Sequence, residues 1–287
     1  MLLIADGGST KTNWCVIDSL GNRLGFDSEG YNPYFVDSSY INRSLSEVIP
    51  PDLQRNEVSN IYFYGAGVQN PEKARVIEDA LTEIFPAAKS FVGHDLLASA
   101  RSLLGDEAGF AAILGTGTNS CLYNGFEISH HIDSGAHILG DEGSGFYIGK
   151  RLLIDYLRGV MPAGLAAEFR EQFGLTSDDV HEAVYSKPLA NRYCAGFSRF
   201  ISDNYRDHDY TLNLLTKAFN DFFANIVCLY PNYTKYKFNC IGSVGYTFQD
   251  VLKNVALSWG MEPGVIFRSP LEGLIKYHLE LRPYKAA

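Results

Sequence analysis

Residues 1–18 read MLLIADGGSTKTNWCVID: a short apolar run, Met1 to Ala5, then an aspartate, two adjacent glycines, four small or basic residues, and a second strand-like run. A strand, a glycine turn rich in hydroxyls and a second strand predict a hairpin whose tip exposes backbone N–H groups, and such a tip can hold phosphate. The stretch AAILGTGTNSCLYN (111–124) repeats the plan: four apolar residues, a turn with two glycines and hydroxyl residues, a polar residue, then another short strand. The two stretches lie roughly a hundred residues apart, too far for a solenoid, whose period is about 20–50 residues. The echo therefore predicts two related lobes, each presenting a glycine hairpin to a shared cleft.

Phosphate chemistry gives such a pair a purpose. A turn without Cβ atoms lets backbone N–H groups approach phosphate oxygens, and Ser9, Thr10, Thr12, Thr116 and Thr118 add hydroxyl donors. The rival templates do not fit: there is no G-x-x-x-x-G-K-[ST], and GTGTNS (115–120) lacks the third glycine of a dinucleotide fingerprint. Taken singly, either turn is an ordinary hairpin; the pairing is what points to phosphate. Further glycine turns follow strand-like runs in YFYGAGVQN (62–70), HILGDEGSGFYIG (137–149) and NCIGSVGYTF (239–248). In open α/β folds ligands gather at the carboxyl ends of strands, where these turns would sit. The last of them is expected to precede a helix starting near Thr247.

Composition sets the class. The chain has 287 residues, 46% hydrophobic and 20% charged, which is the composition of a globular protein with room for two ordinary domains. Its net charge of -9 supplies no basic footprint for nucleic acid or an anionic membrane. No apolar stretch approaches the ~18 residues of a membrane span, and MLLIA is short and lacks a basic flank, so the expected location is cytoplasmic. Cys15, Cys121, Cys194, Cys228 and Cys240 are scattered, without metal-ligand spacing, and read as reduced thiols.

Strands are expected at 2–5, 13–18, 61–64, 90–92, 110–114, 120–123, 238–241 and 265–268. Helices are expected at 38–49, with serines able to cap its start, and at 70–85, with Pro71 just inside it. From about 144 to 230 the pattern is mostly helical, a helical insertion between sheet-forming regions. Its aromatic stripe, Phe219, Phe222, Phe223 and Tyr230, suits a core or a subunit interface.

Asp6, Asp95, Asp141 and Glu142 stand out among the acids. Asp6 ends an apolar strand beside the first glycine turn, a place that suits either a turn-capping side chain or a carboxylate facing the Mg²⁺ that accompanies nucleotide phosphates. Asp95 follows SFVGH (90–94) and opens LLASARSLL (96–104). There it can act as an N-cap or accept the proton of a hydroxyl attacking phosphorus, with His94 as a rival base.

Taken together, DGGSTKT (6–12), GHD (93–95), GTGTNS (115–120), GDEGSG (140–145) and GSVG (242–245), in this order, resemble the motifs of the actin-like ATPase superfamily of sugar kinases and heat-shock chaperones. The nearer resemblance, over almost the whole chain, is to the N-acetylglucosamine kinase branch, grouped with BadF/BadG-type ATPases. The resemblance implies an α/β fold of two ribonuclease H-like lobes flanking a nucleotide cleft. The first would span 1–108 joined by the last helix, 271–287, and the second 109–270 with the insertion. It implies ATP and Mg²⁺ as cofactors, with Gly7, Gly8, Ser9, Thr10, Lys11 and Thr12 on ATP phosphates and Asp6 near the metal. Gly115, Thr116 and Gly117 would form the second phosphate loop, and Gly242, Ser243 and Gly245 would lie against adenosine. Asp95 is implied as general base, with Asn32, Asn119 and Asp141 on the sugar. Tyr31, Pro33 and Tyr34 around Asn32 depart from the family pattern and leave the sugar open.

The expected function is ATP-dependent phosphorylation of a sugar hydroxyl, with an amino sugar such as N-acetylglucosamine as substrate. Two alternatives stand beside it: an ATPase that drives a partner enzyme, and a catalytically silent sugar sensor. The iron-sulfur cysteine motif of the partner-driving relatives is absent, and no helix-turn-helix extension precedes the first strand. A homodimer is suggested by the family and by the aromatic helical region.

Overall fold

A computed structural model describes residues 1–8 and 11–281, which form two compact units, one built from residues 1–106 and those from 270 on, the other from 107–269. The first unit contains β1 (Leu2–Gly7), β2 (Lys11–Ile17), β3 (Arg23–Glu29), α1 (Ser38–Val48), β4 (Asn60–Gly65), α2 (Pro71–Ile84), β5 (Lys89–His94) and α3 (Asp95–Leu104). Its sheet runs in the order β3, β2, β1, β4, β5, antiparallel across the first three strands and parallel across the rest. β1 is central and covered on both faces, which is why it reads as an unbroken apolar run rather than an alternating one. Leu3 and Ala5 join the core formed with Ile41, Leu45, Ile77 and Leu81, while Ile4 packs with Tyr64, Ala98 and Leu274 on the other face.

The second unit begins with β6 (Ala108–Leu114), β7 (Thr118–Asn124), β8 (Ile128–His131), α4 (Ala136–Leu139) and α5 (Gly145–Leu157). The helical insertion continues through α6 (Ala163–Phe173), α7 (Ser177–His181), a π-helical turn (Glu182–Ser186), α8 (Ala190–Gly196), α9 (Ser198–Asn204) and α10 (Asp209–Asn225). Then come β9 (Phe238–Ile241), α11 (Ser243–Thr247), α12 (Gln249–Ser258) and β10 (Pro263–Phe267). The sheet order β10, β9, β6, β7, β8 reproduces that of the first unit strand for strand, so the sequence echo reflects two ribonuclease H-like units of one topology. α13 (Leu271–Lys276) and a π-helical turn (Tyr277–Leu281) return to the first unit; of the helix expected over 271–287, residues 282–287 lie outside the described residues.

Local chemistry explains the boundaries. Asp37, not one of the serines, caps α1 by accepting the Tyr40 N–H at 2.8 Å, and Asn70 caps α2 by accepting that of Lys73 at 2.9 Å. Pro71 occupies the first turn of α2, where its missing N–H is harmless. The aromatic stripe is core: Phe219, Phe222, Phe223 and Tyr230 are at most 1% exposed, so it supplies no surface for a dimer. Among the described residues no helix is long and apolar enough to cross a membrane.

Candidate functional site

In the first unit the strand ends gather three of the expected features. Parallel register sets Gly7 beside Gly65 and Gly65 beside His94, so the first glycine turn and Asp95 lie at one edge of one sheet. Gly8 N–H closes the β1–β2 turn on the Lys11 carbonyl at 2.9 Å. Asp6 is the penultimate residue of β1, on the same face as Ile4 by strand alternation. Ser9 and Thr10 lie outside the described residues.

Two residues of this loop are engaged within the protein. Thr12 is fully buried and its hydroxyl donates to the Glu29 carbonyl at 3.1 Å, because inward alternation on β2 turns it toward β3. It is therefore a strand-pairing residue here rather than a hydroxyl presented to ligand. Lys11 reaches Asp27 at 2.8 Å with both side chains about half exposed, a surface pair weak enough to exchange for a phosphate.

Asp95 is the first residue of α3 and not its cap. The chain stays extended through His94, whose Nδ1 accepts the Leu96 N–H at 3.0 Å and caps the helix. The same nitrogen lies 2.8 Å from Oδ1 of Asp95. One nitrogen cannot serve both: neutral, it caps the helix, whereas protonated, it pairs with the carboxylate. Burial disfavours the imidazolium, but the hydrogen bond to Asp95 and its charge outweigh burial and raise the His94 pKa above its ordinary value. His94 also lines a cavity of about 410 Å³ with Gln69, Asn70, Arg75, Phe91 and Leu97.

Asn32 lies against Gly67, whose φ of +83° and close approach to the amide exclude any side chain there. Its Oδ1 accepts the Tyr34 N–H at 3.0 Å. The unusual neighbours have structural duties. Tyr31 is buried and hydrogen-bonds Ser44 at 3.1 Å, while Tyr34 stacks under Lys73 at 4.5 Å and donates to Gln69 at 3.1 Å.

In the second unit three glycine turns converge at the ends of β6 and β9. Gly115 N–H bonds the Gly117 carbonyl at 3.0 Å, and the first N–H groups of α5, from Gly145 and Phe146, donate to the carbonyls of Gly115 and Thr116 at 2.8 and 3.0 Å. Gly242, at φ +126°, abuts the Leu114 carbonyl so closely that a Cβ would collide with it, and Gly245 packs on Cys240. Ser243 opens α11 four residues before the expected start, because the Gly242 turn itself ends β9 and launches the helix. Thr116 and Ser243 remain exposed at this junction.

Asp141 binds the second loop from behind. It is 7% exposed, adopts φ +58°, and its Oδ1 accepts the Thr118 N–H at 2.9 Å and the Ser134 hydroxyl at 3.3 Å. Burial, only partly offset by these donors, raises its pKa above the usual carboxylate range. Thr118 is no phosphate donor in this arrangement, since its hydroxyl donates to the Glu142 carbonyl at 2.7 Å. Asn119 is held by Ser120 N–H at 3.0 Å and by Nε2 of His131 at 2.9 Å. His94 as cap, Ser134 and His131 are supporting residues that no periodicity or spacing marks in the sequence.

Among the described residues no group of three or more His, Cys, Asp or Glu side chains is arranged to hold a metal. The five cysteines are free thiols, and burial pushes Cys121 up to about 12 and Cys194 up to about 11. Asp6 offers one hard oxygen donor, and that suits Mg²⁺, which keeps most of its waters and needs only one or two carboxylates beside phosphate oxygens.

No family model matches the chain. The N-acetyl-D-glucosamine kinase of Dictyostelium discoideum is 27% identical over 173 residues, so the match spans 55% of this chain and about half, 53%, of that curated relative. A crystal structure from Porphyromonas gingivalis, provisionally named an N-acetylglucosamine kinase, superposes with a TM-score of 0.91 at 40% identity over 97% of this chain and 98% of that one. A ROK family glucokinase from Streptomyces griseus, solved with glucose and AMPPNP, matches over 99% of both chains with a TM-score of 0.64 and 15% identity, a likeness of fold. With two units of one ribonuclease H-like topology and that 40% identity across nearly its full length, the chain belongs to the N-acetylglucosamine kinase-like family.

Proposed function

We propose that this protein transfers the γ-phosphoryl group of ATP to a sugar hydroxyl, with an amino sugar of the N-acetylglucosamine type as acceptor and Asp95 as general base. The observation that carries the reading is the Asp95 carboxylate, one-third exposed at the first turn of α3, on the sheet edge that also bears the Gly7-Gly8 turn. Phosphoryl transfer asks little covalent chemistry of a protein beyond aligning the acceptor oxygen and compensating phosphate charge. Gly7, Gly8, Gly115 and Gly117, without Cβ atoms, would let their turns approach the phosphates closely, with the Gly117 N–H and the Thr116 hydroxyl as donors, and Ser243 with Gly242 and Gly245 would lie along the nucleoside. Asp6 would hold Mg²⁺, which supplies neutralising charge on the phosphate oxygens when bound. Asn32 through its amide NH₂ and Asn119 would orient the sugar, while Asp141 would fix the second loop in addition to, or in place of, touching the acceptor. A neutral His94 leaves the Asp95 carboxylate free to accept the hydroxyl proton.

The names of the Dictyostelium and Porphyromonas relatives, and the glucose and AMPPNP in the Streptomyces structure, support this choice of substrate and nucleotide. The test is ADP release with Mg-ATP against N-acetylglucosamine, N-acetylmannosamine, N-acetylmuramic acid, glucosamine, glucose and no sugar. Release that depends on an N-acetylated sugar is the expected result. Hydrolysis indifferent to every sugar would point instead to an ATPase driving a partner, and no turnover at all to a sensor.

A further inference from the structure

The second unit holds a cavity of about 490 Å³, bounded by one stripe of α5, by α7, by the π-helical turn Glu182–Ser186 and by Cys194 of α8. It shares no lining residue with the Gly115–Gly117 or Gly242–Gly245 turns, so it is distinct from the glycine junction of this unit. Phe146, Lys150, Ile154 and Leu157 recur at helical spacing and project from α5 into it. The lining beneath them is branched and aliphatic, with Leu153, Val180 and Val184, while Lys150 and Arg158 set two cations at the rim.

Neither Lys150 nor Arg158 makes an ion pair among the described residues. None of the twelve lining residues is acidic, in a chain whose net charge is -9. Of the carboxylates on these elements, Glu182 pairs with Lys187 at 3.1 Å, while Asp179 takes the Thr176 N–H at 2.9 Å and Asp155 accepts from the Tyr210 hydroxyl at 2.7 Å, neither of them bonded to Lys150 or Arg158. Lys150 lies 4.9 Å and 5.2 Å from the ring centres of Phe146 and Tyr147, contacts that orient the ammonium without neutralising it.

The wall opposite α5 is built for access. A π-helical turn widens the backbone and is found disproportionately at functional sites. Here it delivers Val184 to the cavity and leaves Tyr185, another lining residue, 83% exposed at the mouth. Leu189, a non-glycine residue at φ +64°, lies three residues beyond the turn and keeps a conformation that leucine rarely adopts.

We propose that this cavity binds a small amphiphilic anion, with an apolar body on the order of ten non-hydrogen atoms and one carboxylate or phosphate monoester held by Lys150 and Arg158. The aliphatic lining takes the body and the two cations, about two helical turns apart on the same cavity, take the head. Carboxylate and phosphate share this chemistry, and the probes separate them.

The experiment is calorimetric titration of the full chain with octanoate, octyl phosphate and octanol. One anion is expected to bind per chain, with the tighter of the two naming the head group, and octanol, with the same body, at least ~10-fold weaker. Replacing both cations (K150A with R158A) should weaken anion binding by ~10-fold or more while leaving octanol unchanged, and V184W should fill the cavity and abolish all three. The rim double variant keeps the test decisive should V184W fail to fold. Absence of saturable anion binding, octanol binding as tightly as octanoate, indifference to the rim substitutions, or displacement by ATP would each overturn the proposal.

Discussion

Asp141 concentrates the conflict between burial and charge at one side chain. Its pKa is raised chiefly because burial penalises the carboxylate, so the folded state holds its proton more tightly than the unfolded chain does. The sign follows: the contribution is fully favourable below the ordinary carboxylate pKa and is lost as pH rises through the raised value. At neutral pH the ionised group therefore burdens the fold. Asp141→Asn keeps an oxygen for the Thr118 N–H, tolerates φ +58°, and removes the charge. We expect its stability at pH 7 to rise by about 0.5–1 kcal/mol in denaturant titrations, a difference that vanishes near pH 3. A fall in stability would mean that the carboxylate charge is compensated by something other than these donors. Asp95→Asn is expected to act on chemistry instead, losing ~10²-fold or more in turnover while equilibrium nucleotide binding stays intact. Unchanged turnover would remove Asp95 from the mechanism.

At the scale of elements, the packing of α5 on α8 depends on one glycine. A Cβ on Gly149 would run into the Cys194 carbonyl, so glycine is kept in a helix interior where its propensity alone would disfavour it by about 1 kcal/mol. Gly149→Ala should lower stability by about 1–3 kcal/mol by forcing the helices apart. Gly164→Ala, on the exposed start of α6 with nothing within 4 Å of its Cβ, should be neutral or raise stability by up to about 0.5 kcal/mol. Equal responses in thermal melts would contradict this account of the α5–α8 contact. The same contrast of local and distant causes explains what could be read from sequence. The hairpins β1–β2 and β6–β7 were legible because both carry apolar runs into glycine turns. β3 and β8 were not, since RLGFDSE and ISHH are mostly exposed edge strands without an apolar signature. Asp6, Asp95 and the glycine turns announced themselves at strand ends. The capping by His94, the turning of the Thr12 and Thr118 hydroxyls into the protein, and the hold of Asp141 on Thr118 depend on neighbours distant in sequence, which no local pattern encodes.

Across the whole molecule the notable connection is the return of residues 270–281 to the first unit, where Leu274, Ile275, Tyr277 and His278 are each no more than 4% exposed. His278 joins a buried network: Arg101 donates to the Tyr64 hydroxyl at 2.7 Å, and that hydroxyl lies 2.8 Å from Nε2 of His278. The Tyr62 ring stacks on the imidazole at 3.6 Å and Tyr277 packs edge-on at 5.0 Å, so among the described residues the polar groups facing His278 are three phenols and one guanidinium. Burial, and then the Arg101 charge, depress its pKa to about 3. The folded state therefore excludes a proton that the unfolded chain accepts below the ordinary histidine value. Stability is intact above about pH 6.5 and declines as pH falls from there toward 3, by up to about 1.4 kcal/mol per pH unit. His278→Gln keeps an acceptor for Tyr64 and cannot titrate, so it should be the less stable protein at pH 7.5 by lost packing. Between pH 6.5 and 5 the gap to wild type should narrow by about 1.6 kcal/mol in urea titrations. Hydrogen exchange at pH 5 should locate the loosening in residues 1–106 and 270–281, with 107–269 retaining its protection. A gap independent of pH, or loosening spread evenly over both units, would show that His278 does not set the acid limit of the fold.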